Sequence, residues 1–275
     1  MKAVWRAVAL AIVLASAWAG VDLAQTPGAP VPAGPVVGIV LVHGKQGNPS
    51  NPPIYNAAGL LANAGYKVDR PEMCWSGQRI YDQTFPDCLG AIDQSIARLK
   101  AQGATAIVVA GHSLGGTAAL AYGATHPGLM GIIGLAPASN PMVYKVNQDI
   151  GNAVTQAQQL VAAGEGDEKT SFPDVNTNAN GGTTFTVTTT PRIYLSFFGP
   201  NTQAGMIANA AHLTAPLLWV SGDKDPTQRG EPEAIFAKAA PNPMNRFVKV
   251  SANHIETPGA AVPAMLTWLG DLKRR

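Results

Sequence analysis

Runs of apolar residues divide the chain into segments that predict strands alternating with helices. Six runs have the length and composition of strands, and the longer ones are continuous, which is typical of strands covered on both faces. They occupy residues 36–42, 66–68, 106–110, 130–135, 216–220 and 246–250. Between them apolar residues repeat at helical spacing, for example at Leu89, Ile92, Ile96 and Leu99. This alternation predicts an α/β fold with a mostly parallel central sheet of about six strands and helices on both faces.

One long segment interrupts the alternation. About seventy residues separate Asn140 from His212, where a simple crossover between strands needs far fewer. The segment holds a predicted helix at 145–163 and then a stretch rich in Thr, Asn and Gly, with an alternating apolar and polar run at 185–188. We interpret residues of about 140–212 as a lid-like insertion over the carboxyl edge of the sheet, within one domain that spans 36–272.

The first residues have the pattern of a secretory leader. Lys2 and Arg6 lie at its start, an apolar run follows, and small residues precede a possible cleavage site at residue 19. We therefore predict a signal peptide at 1–19 and an Ala-, Pro- and Gly-rich linker at 20–35, with export to the periplasm or the medium. The alternative is an uncleaved membrane anchor. No later stretch is long and apolar enough to predict a membrane span.

Composition excludes several other classes of protein. Hydrophobic residues make up 46% of the chain and charged residues only 13%, so the chain can bury a sizeable core and is not a disordered tail. The net charge of +2 comes from Lys2 and Arg6, since the remainder has 17 basic and 17 acidic residues. Without a basic stripe, the sequence gives no indication of a nucleic-acid partner.

Cys74 and Cys88 are the two cysteines of the chain. An isolated pair in an exported protein is expected to be oxidised, so we predict a disulfide between them. Closing a loop of about fifteen residues would stabilise the fold by about 3 kcal/mol. Two free buried thiols are the alternative if the chain is not exported.

A Gly-His-Ser-Leu-Gly-Gly segment at 111–116 follows the predicted strand at 106–110 and precedes a predicted helix. The pattern G-x-S-x-G between a strand and a helix is that of a nucleophile elbow, in which a sharp turn raises the serine hydroxyl above the edge of the sheet. The motif is short, and a glycine turn with an exposed serine could also produce it. Such a turn does not need a strand before it and a helix after it, so this context makes the motif specific. Ser113 is therefore the predicted nucleophile.

The order of residues along the chain then selects the base and the acid. In this type of hydrolase the acid follows the serine and the histidine follows the acid. Of the five histidines, only His254 follows both Ser113 and the acidic loop after the fifth predicted strand. That loop holds two candidate acids, Asp223 and Asp225. Asp225 lies further from the strand, and Pro226 restricts its backbone, which could fix the direction of its carboxylate.

Two backbone amides are needed to bind the oxyanion of an acyl-transfer reaction. One is expected from Leu114, directly after the nucleophile, and the other from the turn after the first strand. In that turn we choose Lys45, with Gln46 as the second candidate. Four aromatic residues could line an acyl pocket, although such side chains more often belong to a core. They are Trp75, Tyr81, Phe197 and Phe198.

These segments resemble the α/β-hydrolase superfamily, in the branch of small bacterial esterases, lipases and dienelactone-hydrolase-like proteins. The similar segments are the strand ending in His43-Gly44, the elbow at 111–116, the loop at 222–226 and Asn253-His254. The resemblance covers 36–272 apart from the insertion. It implies a serine mechanism through an acyl-enzyme, with no metal and no cofactor, and it favours Asp225 as the acid. The first predicted strand follows the predicted leader so closely that we do not expect the two leading antiparallel strands of larger members.

The predicted function is hydrolysis of a small-molecule carboxylic ester by an exported serine hydrolase. A perhydrolase, a thioesterase or an amidase could use the same three residues. A second class of protein also has to be considered, a non-catalytic binding protein with this fold, because a fold alone does not establish chemistry. The sequence indicates neither the natural substrate nor the oligomeric state.

Overall fold

The computed structural model describes residues 34–138, 147–176, 183–227 and 231–275. These belong to one compact unit that begins at Gly34. The predicted signal peptide at 1–19 lies outside the described residues, as does the predicted linker at 20–35 except for its last two residues. Among the helices that are described, none is both long enough and apolar enough to cross a membrane.

Within the described residues, six of the eight strands form one parallel sheet, as the apolar runs predict. The strands are β1 (Val37–Val42), β2 (Lys67–Asp69), β3 (Ala106–His112), β4 (Gly131–Leu135), β5 (Thr170–Asn176), β6 (Thr183–Thr189), β7 (Leu217–Gly222) and β8 (Arg246–Val250). The order in the main sheet is β2-β1-β3-β4-β7-β8, and every neighbouring pair is parallel. All the carboxyl ends therefore lie at one edge, where a parallel sheet collects its functional loops.

The helices cover both faces of this sheet. They are α1 (Pro52–Asn63), α2 (Phe85–Cys88), α3 (Gly90–Ala101), α4 (Leu114–Thr125), α5 (Gln148–Ala162), α6 (Pro191–Phe198), α7 (Met206–Ala210), α8 (Glu231–Lys238), α9 (Thr257–Ala260) and α10 (Val262–Lys273). Alternate side chains of β1 enter different cores, because successive residues of a strand point to opposite faces. Val40 packs in the core that includes residues of α3 and α4, and Leu41 in the core that includes residues of α1 and α10.

The insertion contains helices α5, α6 and α7 and a hairpin of β5 and β6. The alternating run at 185–188 lies in β6, whereas its partner β5 was not predicted from the sequence. Pro173 lies within β5, and proline in sheets is confined mainly to edge strands. In the hairpin Pro173 is tolerated because each strand has a free edge. Helix α6 packs against α5, and α7 packs against α4. These described parts rest on the body of the domain, and closure of the insertion over the site stays a prediction.

Candidate active site

Ser113 lies at the sharp turn between β3 and α4. Its backbone φ is 55°, a value that residues other than glycine rarely adopt. The flanking glycines make this turn possible. A Cβ atom on Gly111 would overlap the carbonyl oxygen of Gly115, and one on Gly115 would lie 2.5 Å from the carbonyl oxygen of Val42. The turn thus requires glycine on both sides of the serine, which explains the spacing of the motif.

Main-chain hydrogen bonds hold the elbow in place. The Ser113 N–H donates to the carbonyl of Leu135 at the end of β4, at 3.0 Å. The Ser113 carbonyl accepts from the N–H of Thr117 at 3.1 Å and from that of Ala138 at 3.2 Å. These bonds fix the strained backbone between two strand ends, so the position of the hydroxyl does not depend on a mobile loop.

His254 and Asp225 form a buried pair. Nδ1 of His254 lies 2.7 Å from Oδ2 of Asp225, and the two side chains are 9% and 0% exposed. Oδ1 of Asp225 accepts two further hydrogen bonds from Thr227, from its N–H at 2.9 Å and from its hydroxyl at 2.7 Å. Burial by itself would raise the pKa of Asp225, but the hydrogen bonds from His254 and Thr227 outweigh it and hold the pKa below its usual value.

The structure places Asp223, the other candidate acid, in a different role. Its N–H donates to the carbonyl of Val250 at 2.9 Å, and its Oδ1 accepts from the N–H of Ala252 at 3.2 Å. Both contacts join the loop after β7 to the end of β8. Asp225 is thus brought to His254, and Asp223 shapes the loop that presents both.

His112 is a residue of the site that the sequence analysis did not select. Its Nε2 donates to the carbonyl oxygen of His254 at 2.9 Å, and the centroids of the two rings lie 4.8 Å apart. Burial lowers the pKa of His112 to about 3, so its imidazole is neutral. The contact brings the loop of His254 against the elbow.

Among the described residues, no hydrogen bond joins Oγ of Ser113 to His254. In enzymes without bound substrate, the hydrogen bond between nucleophile and base is often long and shortens only when substrate binds.

The turn after β1 lies beside Ser113. A Cβ atom on Gly44 would be 3.1 Å from the Cβ of Ser113. The N–H of Gln46, the second candidate for the oxyanion hole, already donates to the carbonyl of Trp75 at 2.9 Å. The N–H groups of Lys45 and Leu114 make no hydrogen bond to any described residue. These two N–H groups are thus available to a ligand, and their role as the oxyanion hole stays a prediction.

The aromatic residues expected to line a pocket form a core instead. Trp75, Tyr81, Phe197 and Phe198 are each at most 3% exposed. The rings of Tyr81 and Phe197 meet edge to face at 4.6 Å, and Nε1 of Trp75 donates to the carbonyl of His43 at 3.1 Å. The interpretation as a pocket is wrong for this conformation, because large aromatic side chains gain most when they bury each other completely.

The predicted disulfide is present. Cys74 and Cys88 are joined, their Cα atoms are 5.6 Å apart, and both residues are buried. The bond closes the segment that carries Trp75 and Tyr81. No cluster of three or more His, Cys, Asp or Glu residues within the described ranges could hold a metal ion.

Comparison with known proteins adds a family to this geometry. A family model described as serine aminopeptidase, S33, matches residues 61–252, which include Ser113 and Asp225 and end two residues before His254. A thermostable monoacylglycerol lipase from Bacillus sp. (strain H-257) is 37% identical over 100 residues, which are 35% of this chain and 39% of that protein. The match thus spans about two fifths of the curated relative.

Solved structures share the fold at low sequence identity. A monoacylglycerol lipase from Paleococcus ferrophilus has a TM-score of 0.61 at 20% identity, over 86% of this chain and 94% of that chain. Est1E from Butyrivibrio proteoclasticus, solved with bound ferulic acid, has a TM-score of 0.61 at 18% identity, over 86% and 90%. With the family match over more than half of its length, the chain belongs to the serine aminopeptidase S33 family of the α/β-hydrolase superfamily.

Proposed function

We propose that the protein is a serine hydrolase that cleaves carboxylic esters, with Ser113 as nucleophile, His254 as general base and Asp225 as the acid that orients it. The observation that carries the proposal is the buried pair of His254 and Asp225, held by His112 against the strained turn of Ser113. A strained turn and a buried carboxylate are costly to maintain, and such features cluster at functional sites.

The geometry suits an acyl-enzyme mechanism. With Nδ1–H of His254 donating to Asp225, the lone pair is on Nε2, which takes the proton of Ser113 as Oγ attacks the ester carbonyl. The amides of Lys45 and Leu114 bind the oxyanion, and His254 returns the proton to the leaving alcohol. Water, activated by the same Nε2, then releases the acid and restores Ser113.

The relatives support an ester as substrate and leave one alternative. The curated match is a monoacylglycerol lipase, which favours an acyl ester, whereas the family model is described as serine aminopeptidase, which favours the amide bond after an amino-terminal residue. The same three residues suit both reactions. An amide differs in its leaving group, which His254 must protonate before the bond breaks.

Two panels of substrates test the proposal. We expect turnover of p-nitrophenyl esters, with a preference among acyl chain lengths, and little turnover of aminoacyl p-nitroanilides. Ser113→Ala should retain the fold and lose activity by several orders of magnitude, since it removes the nucleophile. The exposed His212 offers a matched control for His254, so His254→Ala should lose activity and His212→Ala should not.

Labelling with a fluorophosphonate decides between an enzyme and a non-catalytic binding protein. We expect the probe to modify Ser113 in the wild type and nothing in Ser113→Ala. A folded wild type that neither reacts with the probe nor hydrolyses any substrate would contradict the catalytic proposal. Hydrolysis of the p-nitroanilides alone would replace the ester by an amide and leave the three residues in their roles.

Export is the remaining part of the proposal. The buried disulfide supports it, because such bonds persist in oxidising compartments. We expect the mature protein to begin at Gly20, after cleavage of the predicted signal peptide at 1–19. Amino-terminal sequencing of protein from the periplasm and the medium measures this, and an intact leader in membrane fractions would favour the uncleaved anchor.

A further inference from the structure

We propose that Asp174, on β5 of the insertion, is a positioning residue for the oxyanion hole and acts through the side chain of Lys45. The inference rests on the proposed function, because it concerns the backbone amide that Lys45 is expected to offer to the substrate. It gives the insertion a role in catalysis that does not depend on closing over the site.

An ion pair with very little solvent exposure joins the two residues. Nζ of Lys45 lies 2.7 Å from Oδ1 of Asp174, with side-chain exposures of 8% and 1%. The same ammonium donates to the carbonyl of Val175 at 2.7 Å. It also lies 5.8 Å from the ring centroid of Phe198, which adds a favourable contact with an aromatic face. Lys45 is therefore held at the far end of its side chain by β5.

Asp174 is itself fixed from two further directions. Its Oδ2 accepts from the hydroxyl of Tyr81 at 2.7 Å, and its Oδ1 accepts from the N–H of Val175 at 2.6 Å. Tyr81 lies in the segment closed by the Cys74–Cys88 disulfide. The carboxylate thus joins the hairpin, the disulfide segment and the turn after β1, which are far apart in the sequence.

The turn needs an anchor at Lys45 because its other residues are anchored differently. The N–H of Gln46 donates to Trp75, and the N–H of Gly47 closes the turn by donating to the carbonyl of Gly44 at 3.1 Å. The N–H of Lys45 has to remain unpaired to serve an oxyanion, so the main chain cannot be held through it. The side chain of Lys45 restrains the turn instead, through the contacts of its ammonium group with Asp174 and Val175.

Stability alone is a poor explanation for this ion pair. Removing two charges from water costs so much that well-packed apolar residues of similar size are often as stable as a buried pair. Such a pair does, however, specify a geometry, because ion and hydrogen-bond contacts are directional. At an oxyanion hole this matters, since a displacement of about 1 Å in a reacting geometry can lower a rate by about a hundredfold.

The experiment compares wild type with Asp174→Asn, Lys45→Met and the double variant. Removing one charge leaves its partner buried and unpaired, so the double variant is the one most certain to fold. For each protein, kcat and KM are measured with p-nitrophenyl butyrate, and the inhibition constant with phenylboronic acid. Ser113 Oγ adds to the boron of this inhibitor, and the resulting tetrahedral boronate places an oxygen in the oxyanion hole.

We expect kcat to fall by about tenfold to a hundredfold, which is less than the loss of an oxyanion donor itself. KM should change by less than about twofold, and the inhibition constant for phenylboronic acid should rise by the same factor as kcat falls, because both report transition-state binding. Asp93→Asn is the control. It also removes a carboxylate that accepts from a tyrosine hydroxyl, that of Tyr122 at 2.6 Å, and it should leave all three constants unchanged.

The outcomes separate the inference from the proposed function. If the variants melt at lower temperature but keep the kcat and the inhibition constant of wild type at 25 °C, the ion pair is only structural and the inference fails. A rise in KM with unchanged kcat would equally overturn it, since that indicates uniform binding. If wild type neither hydrolyses the ester nor binds phenylboronic acid, the proposed function fails, and the inference fails with it.

Discussion

Asp225 keeps a low pKa although its side chain is fully buried. A buried carboxylate ordinarily gains a proton, because removal from water penalises the charged form. Here three hydrogen bonds from two residues compensate, one from His254 and two from Thr227. At the scale of single residues, the site therefore combines a buried carboxylate that stays charged with a buried histidine, His112, that stays neutral, and one prediction tests each.

Asp225→Asn should lower kcat by roughly four orders of magnitude, as loss of the orienting acid does in serine proteases. The asparagine side chain has no negative charge to stabilise a protonated His254. Its NH₂ group can also donate to Nδ1, which would favour the tautomer with the proton on Nε2, where it cannot accept the proton of Ser113. Asp223→Asn is the matched control, since it removes a carboxylate from the same loop, and it should cost about 1 kcal/mol of stability with little loss of kcat. Steady-state kinetics of both variants decide, and a loss confined to Asp223→Asn would reassign the acid.

His112 should make the fold sensitive to acid. Its pKa is about 3 in the folded protein and near 6.5 in the unfolded chain. Between these values the unfolded chain binds more protons, so stability falls as the pH falls. The free energy of unfolding should decrease by about 2 kcal/mol between pH 7 and pH 5 through this residue. Urea denaturation of wild type and His112→Gln at both pH values measures it, and equal pH dependence in the two would contradict it. His43 is retained in both, so its contribution cancels.

At the scale of elements, the elbow depends on how closely β1, β3 and α4 approach one another. Gly115 is the first-turn residue of α4 that faces the end of β1, and no side chain fits between them. The close approach is what brings the turn after β1 next to Ser113. The packing of a helix on a strand end thus sets how close this turn lies to Ser113.

Gly115→Ala and Gly59→Ala form a matched pair, since both glycines lie in helices. The added Cβ at 115 would be 2.5 Å from the Val42 carbonyl and 2.6 Å from that of His43, so we expect a loss of about 1–3 kcal/mol and of activity. At 59 nothing lies within 4 Å, and alanine should stabilise α1 by up to about 1 kcal/mol. Thermal unfolding and ester turnover measure both, and equal effects would show that the close approach does not matter.

At the scale of the whole molecule, segments distant in sequence converge on the turn after β1. The disulfide segment contacts it through the carbonyl of Trp75, and the insertion contacts it through Asp174. These contacts link the parts outside the central sheet to the candidate site. We therefore expect reduction of the disulfide to lower the stability of the whole domain.

Reduction of the Cys74–Cys88 bond should lower the free energy of unfolding by about 3 kcal/mol, because a closed loop of this length restricts the unfolded chain. Both sulfurs are buried, so we expect dithiothreitol to act on the native protein only through unfolding. Urea denaturation with and without reductant measures the change, and intact mass under each condition reports the bond. Two thiols that alkylate readily in native exported protein would contradict the prediction.

Local pattern was enough to predict much of this protein. A strand buried on both faces has to be continuously apolar, so the four inner strands β1, β3, β4 and β7 could be read from the chain. The edge strands β2 and β8 are only partly buried and were predicted from shorter runs, and all six have bounds within about two residues of the prediction. The elbow could be recognised because its steric demands fall on Gly111 and Gly115, which are close to Ser113 in sequence. His254 could be selected because it follows the candidate serine and the candidate acid along the chain. In a parallel sheet, the loops after successive strands lie at the same edge, so this order brings the three residues to one edge.

Only the tertiary structure decided the contacts between distant segments. Asp174 and Lys45 are 129 residues apart, and no local pattern marks an aspartate in a polar hairpin as the partner of a lysine in the turn beside Ser113. Likewise, nothing in the spacing of Phe197 separates a pocket wall from a core, because both require a large apolar side chain. Secondary structure depends on neighbours along the chain, whereas pairing of charges and burial of aromatic rings depend on which surfaces the fold brings together.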